Sequence, residues 1–195
     1  PIQHALINNE DYTGITYFEI NNKLDDGKIL FNKKYKINEL DNCESIQNNL
    51  TQIAVDNCLT AIDKMISKKY TQSDQVNKIS YARKLEKKDA HFTWDMSVRL
   101  IFNKIRALHM WPVANTILYG ERIKILDAKC EEIDHKYKFG KVITFNKNEL
   151  VIAAKSGLLS ILKLQLKGKK PITFKDLYNS RSKLRHNLHN DIINI

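Results

Sequence analysis

At 195 residues the chain has room for one or two small domains, and 43% hydrophobic with 28% charged residues is the composition of a soluble globular protein. No apolar run reaches the roughly 18 residues of a membrane span, which excludes a helical membrane protein, and no membrane partner is expected. Cys43, Cys58 and Cys130 never form a C-x-x-C, which argues against a disulfide framework or a zinc site and for a reducing cytoplasm.

The chain opens on Pro1-Ile2-Gln3 without an initiator Met, so a fragment is expected. Ile2, Ala5 and Leu6 have helical spacing and read as the tail of a helix. Gly14 to Ile20, rich in β-branched and aromatic residues, predicts a strand, and Lys28 to Lys36 predicts a second. Between them, Leu24-Asp25-Asp26-Gly27 is a turn, in which both carboxylates are by default solvated. Asp41-Asn42-Cys43-Glu44 is a capping-box signature. From there Cys43, Ile46, Leu50, Ile53, Ala54, Cys58, Ile62, Met65 and Ile66 hold one face apolar to about Lys69, so a long amphipathic helix is expected to bury that stripe and both cysteines. Strand, turn, strand and long helix suit the end of an α/β layer.

Charge then changes sign. Residues 1–70 hold 8 Lys and Arg against 10 Asp and Glu, a balance of −2, whereas residues 71–195 hold 24 against 12, a balance of +12. Two modules follow, the second with a polyanionic partner, since clustered cations release the counterions of a phosphate backbone. From charge alone, a lysine-rich solvated surface competes with that reading. The densest cationic runs are Arg83, Lys84, Lys87 and Lys88, then Lys167, Lys169 and Lys170. If both face one side they form a single phosphate-tracking strip.

The segment around Tyr81 to Leu85 reads as an ordered connector. After it, Asp95 is the expected N-cap of a helix whose apolar face is Met96, Leu100, Ile101, Ile105 and Leu108. Pro112 ends that helix and leaves Trp111 to pack at the junction. Five short strands are predicted beyond it: Thr116–Tyr119, Arg122–Cys130, Lys141–Thr144, Glu149–Ala153 and Leu158–Leu166. Such a set suits an open five-stranded β-barrel of the oligonucleotide-binding (OB-like) type. Thr173-Phe174-Lys175-Asp176 starts a short final helix to about Leu184, followed by a loose polar tail. Surface or packing roles are expected for His4, His186 and His189, and none for His91 or His135.

Several of these stretches occur in a telling order. Pro1-Ile2-Gln3, Thr13-Gly14-Ile15-Thr16, Leu24-Asp25-x-Gly27, Tyr81-Ala82-x-Lys84-Leu85, Ile105-Arg106-Ala107, Trp111-Pro112, Gly168-Lys169-Lys170 and Asn179-Ser180-Arg181 together resemble the methionyl-tRNA formyltransferase family. The resemblance implies an α/β C-terminal remnant of a doubly wound formyltransferase domain at 1–70, a basic linker at 71–92, the C-terminal β-barrel domain at 93–187 and a tail at 188–195. It implies formyl transfer from 10-formyltetrahydrofolate to the α-amino group of methionyl-initiator tRNA, by a cytoplasmic monomer that needs no metal. It makes Asp25 the catalytic carboxylate that orients a histidine, with Leu24, Asp25 and Gly27 beside the folate. The family's Asn and His leading into Ser-Leu-Leu-Pro are absent, so this chain alone is expected to be inactive. Asp26-Gly27-Lys28 also departs from the family's usual Thr-Gly-Asp, and His109-Met110 from its Asn-Pro. A non-catalytic RNA-binding module and a sugar-nucleotide formyltransferase are the competing functions.

Overall fold

The structure, a computed structural model, describes residues 1–22, 27–68 and 80–193, and the side chains of these through residue 190. It divides into two compact units, residues 1–5 with 10–83 and residues 6–9 with 84–195. The helix Ile2–Ile7 (α1) contributes to both.

In the first unit, Tyr12–Phe18 (β1) and Ile29–Lys36 (β2) pair antiparallel from Tyr12↔Lys36 to Phe18↔Ile29, with a bulge after Tyr17. A two-stranded hairpin is marginal alone and needs a cover. That cover is Cys43–Ser67 (α2), whose Ala54 carbonyl accepts from the Tyr17 hydroxyl and whose Lys64 ammonium lies 5.0 Å from the Phe31 ring centroid.

The cap of α2 differs from the expected one. Asn42 is the N-cap: its side chain accepts from the Ser45 N–H at 2.9 Å, while Ser45 Oγ accepts from the Asn42 N–H at 3.0 Å. Asp41 stands one residue before the cap, buried, accepting from Asn38 N at 2.8 Å, Ser45 Oγ at 2.9 Å and the Tyr35 hydroxyl at 3.0 Å. Burial pushes its carboxyl up, but these donors favour the charged form more and hold it below the usual carboxylate range. It therefore locks the β2–α2 junction rather than capping the helix.

The expected apolar stripe is buried over only half its length. Cys43, Ile46 and Leu50 are covered, yet Cys58 is exposed, as are Ile62, Met65 and Ile66. Beyond Leu50 the hairpin meets the helix at separate points, Tyr17 at Ala54 and Phe31 at Lys64, and Ala61 is buried there, so the rest of the stripe stays uncovered.

In the second unit, residues 80–86 are irregular, with Leu85 buried, and Lys87–Ala90 form one 3₁₀ turn. Val98–Ala107 (α3) is capped by Ser97, which accepts from the Leu100 N–H, so neither Asp95 nor Met96 belongs to the helix. The strands are Asn115–Leu118 (β3), Glu121–Glu131 (β4), Val142–Phe145 (β5), Leu150–Ala154 (β6) and Gly157–Leu166 (β7), each within about two residues of its predicted position. The sequence reading missed Ile172–Thr173 (β8), a two-residue strand on β7. The order is β3-β4-β7-β6-β5, antiparallel throughout, with irregular register between Ile125 and Ala128 where β4 bends. Bulges of that kind curl a sheet, and this one is a half-barrel with six strands instead of five.

Two close approaches hold α3 against the sheet. Val98 N donates to the Lys155 carbonyl at 2.8 Å, and Lys155 N donates to the Trp94 carbonyl at 3.0 Å. Gly157 then passes so close to the Glu131 carbonyl and the Val98 side chain that a Cβ there would overlap both. His135, given no role from sequence, fastens the same turn: its Nε2 lies 2.8 Å from the Ala154 carbonyl and 3.0 Å from that of Gly157. With Tyr137 N donating to Nδ1 at 3.2 Å, the neutral ring carries its proton on Nε2.

The end of the chain differs most. Phe174–Asn179 (α4) is capped by Thr173 as expected, but Ser180 ends it, and Lys183–Ile193 (α5) is a second helix. Leu184 and Leu188 are both fully buried, so the predicted loose tail is a docked helix.

Candidate nucleic-acid interface

A charged concavity of the second unit opens where the 3₁₀ turn, the segment after α3 and three strand ends meet. It has a volume of about 460 Å³, and Lys87, Trp111, Arg122, Lys124, Gln165 and Lys167 are among the residues that line it. Four of its side chains are cationic, and none of the described residues lining it is acidic. A cluster of one sign with no internal counter-charge attracts anions, because its own repulsion is relieved when one binds.

Each cation arrives by a separate local rule. Arg122 and Lys124 are exposed on β4 while Ile123 and Ile125 between and after them are buried, the period of two that a half-buried strand imposes. Lys167 follows the last residue of β7, beside Gly168, which turns the chain with φ +70°. Lys87 opens the 3₁₀ turn. That segment is held to β3 by Phe92 N donating to the Asn115 carbonyl at 2.9 Å and to α3 by Lys104 Nζ donating to the His91 carbonyl at 2.9 Å. Burial depresses the Lys104 ammonium below its ordinary value, against the opposing pull of Asp89, so this lysine is a structural tie.

Trp111 lines the concavity and is 51% exposed. It is half covered at the junction, where the adjoining Pro112, joined to it by a cis peptide, is buried. Asn115, 8% exposed, aims Arg122: its Nδ2 donates to the Val113 carbonyl at 3.2 Å, and its Oδ1 accepts from Arg122 Nε at 3.1 Å.

The residues singled out from sequence fall in several places. Lys87 and Lys167, from the two cationic runs, line the same concavity. Lys169 lines an adjoining one of about 550 Å³ with Arg122, Lys167 and Lys183, and Lys170 is exposed beyond both. Lys88 pairs with Glu86 at 2.9 Å on an open surface. Arg83 and Lys84 are exposed, and the Arg83 carbonyl accepts from His4 Nε2 at 2.8 Å. Leu24 and Asp25 lie outside the described residues. Gly27 is described and buried, and a side chain there would run into the Glu19 carbonyl, so its form follows from packing within the hairpin. Arg122, Lys124 and Trp111 were missed as surface groups because a search for cationic runs overlooks charges that alternate along a strand. The signal was the pattern Arg122-x-Lys124 between two apolar positions.

Among the described residues, no group of three His, Cys, Asp or Glu could hold a metal ion, and no helix is long and apolar enough to cross a membrane.

Residues 84–182 match the model of the formyl transferase C-terminal domain. A methionyl-tRNA formyltransferase of Thermodesulfovibrio yellowstonii is 39% identical over 93% of this chain and 58% of its own length. One from Caldicellulosiruptor saccharolyticus is 29% identical over 92% of this chain and 58% of its own. The chain thus spans somewhat over half the length of these curated relatives. Among solved structures, HypX from Aquifex aeolicus in complex with tetrahydrofolic acid has a similar fold, with a TM-score of 0.66 at 18% identity over 91% of this chain and 32% of that one. With its C-terminal half matched from the connector to the start of the last helix, the chain belongs to the formyl transferase family.

Proposed function

We propose that the chain is the carboxyl-terminal part of a methionyl-tRNA formyltransferase, and that the basic concavity of its second unit lies against the phosphate backbone of tRNA. The observation that carries this is the convergence of Lys87, Arg122, Lys124 and Lys167 on one concavity with no acidic residue among those described there. The names of the relatives agree with it. A sugar-nucleotide substrate gives no use for so many cations, and a binding module alone gives none for Leu24-Asp25-x-Gly27.

In this reading the parent enzyme moves a formyl group from 10-formyltetrahydrofolate to methionyl-initiator tRNA. The α-amine attacks the formyl carbon, the oxyanion forms, the bond to the folate nitrogen breaks, and the amine proton is lost. Asp25 holds a histidine supplied by sequence outside this chain, which orients the ring and stabilises its charged form. The first unit is then the end of a doubly wound catalytic domain, the half-barrel an OB-like tRNA-binding domain, and the whole a cytoplasmic monomer.

The test is a titration of the chain against initiator and elongator tRNA at several salt concentrations. Both should bind weakly and alike, with a slope that flattens by roughly 0.7–0.9 log units for each phosphate contact removed. Salt-independent affinity would sink the proposal. In the parent enzyme, Asp25→Asn should cost orders of magnitude in rate with tRNA affinity unchanged, and the chain alone should give no turnover.

A further inference from the structure

We infer that the concavity holds one unpaired nucleotide of its RNA, with the base stacked on Trp111 and the flanking phosphates met by Arg122, Lys124, Lys87 and Lys167. This rests on the RNA reading above and adds a specific contact to it.

Three observations lead there. A tryptophan 51% exposed in the lining of a concavity is unusual in a molecule whose other tryptophan, Trp94, is 9% exposed. The exposed half of the indole offers apolar area that a flat ring laid against it would bury. The concavity's lining combines cations with apolar side chains, among them Met110, Pro112 and Val113 beside Trp111 in the chain. A nucleotide has the same two parts, an uncharged ring and an anionic phosphate. The volume of about 460 Å³ lies within the range of sites for small ligands and is too small for a duplex.

The unpaired state follows from the geometry of stacking. Bases inside an A-form helix are covered on both faces by their neighbours, and their edges lie in a groove that side chains enter poorly. Only a base splayed out of a loop, bulge or end can present a face to Trp111. Arg122 is the best placed of the cations to take the adjoining phosphate. Asn115 fixes its Nε, which leaves the far nitrogens of the fork to donate together.

The experiment uses the whole chain, a single-stranded adenosine hexaribonucleotide, a blunt RNA duplex without unpaired bases, and polyglutamate. Tryptophan emission is followed during titration, and affinity is measured separately by anisotropy of labelled RNA. The hexanucleotide should quench the emission, and Trp111→Ala should remove the quenching and weaken its binding by on the order of 5- to 100-fold. Trp111→Phe should keep most of the affinity. The same alanine variant should bind the duplex as the unchanged chain does, since only phosphate contacts serve there.

Thermal unfolding of Trp111→Ala should match that of the unchanged chain, and Arg122→Gln should weaken single-stranded and double-stranded RNA together. Equal hexanucleotide affinity with and without Trp111, or equal loss for duplex and single strand, overturns the stacking contact while leaving the phosphate reading in place. No RNA binding at all overturns both. Polyglutamate competing as well as RNA at equal charge would mean an acidic protein segment occupies the site, and would overturn the inference.

Discussion

Arg122 Nε donates to Asn115 Oδ1 at 3.1 Å, so a cation exposed on β4 is aimed by an amide buried on β3. Asn115→Ala should leave the net charge of the concavity untouched and still reduce tRNA affinity about two- to five-fold, the loss of one modest hydrogen bond. Arg122→Lys should do the same, since lysine keeps the charge and lacks the fork. Filter binding at fixed salt checks both variants, and full affinity in either would show that the aim of the guanidinium does not matter.

Gly157→Ala should destabilise the second unit by about 2–4 kcal/mol, because the new methyl overlaps the Glu131 carbonyl and Val98, which are both fixed by their own partners. Gly168→Ala provides the contrast. That position has open space around it and a φ of +70°, so the cost should be only about 1 kcal/mol of backbone strain. Urea denaturation of the two variants should separate them clearly.

Asp41 predicts an acid dependence of the first unit. Its folded carboxyl is held below the ordinary range, so its stabilisation is complete above the unfolded value near pH 3.9 and is lost as pH falls through the folded value. Asp41→Asn should therefore cost about 1–2 kcal/mol at neutral pH, the scale of hydrogen bonds to a charged acceptor. The difference between variant and unchanged chain should be constant from pH 7 to 5 and shrink below about pH 4. A difference that grows on acidification would refute this sign.

Leu188→Ala should cost about 2–4 kcal/mol, as expected for a fully buried leucine, and should raise hydrogen exchange along α5. Lys183→Ala, exposed on the same helix, should be close to neutral in stability.

Positions of elements were largely readable from sequence, since apolar periodicity and turn residues are local. The strands of the half-barrel lie within about two residues of expectation for that reason. Errors came where two local signals competed. Asp41 and Asn42 can both accept from a helix N-terminus, and only the third-residue partner decides: Ser45 completes the box with Asn42. The tail looked loose because Leu184 and Leu188 sit among Arg185, His186, Asn187 and His189; a one-sided helix needs few apolar residues to dock. The stripe of α2 was read correctly as a pattern, but whether a stripe is covered depends on the partner and not on the helix.

The candidate site was legible only in part. Runs such as Lys167 to Lys170 announce themselves, whereas Arg122 and Lys124 look like the ordinary outward face of a strand until the fold sets Trp111 and Lys87 beside them. Asp25 was singled out through resemblance alone, since a carboxylate between Leu24 and Gly27 has no distinguishing pattern of its own, and it lies outside the described residues.

The pairing of β4 bears on the order in which the chain can be made. β4 joins β3 through a tight turn, but its other edge waits for β7, from Glu131↔Leu158 to Ile123↔Leu166. At about 5–20 residues per second, a ribosome leaves that edge unpaired for a few seconds, long enough for another nascent strand to find it. Lys124, Asp127, Lys129 and Glu131, projecting from every second or third position, put charge along the waiting edge and oppose such pairing. By the same rule the charge of Lys124 disfavours strand pairing between chains whether or not a ligand is bound.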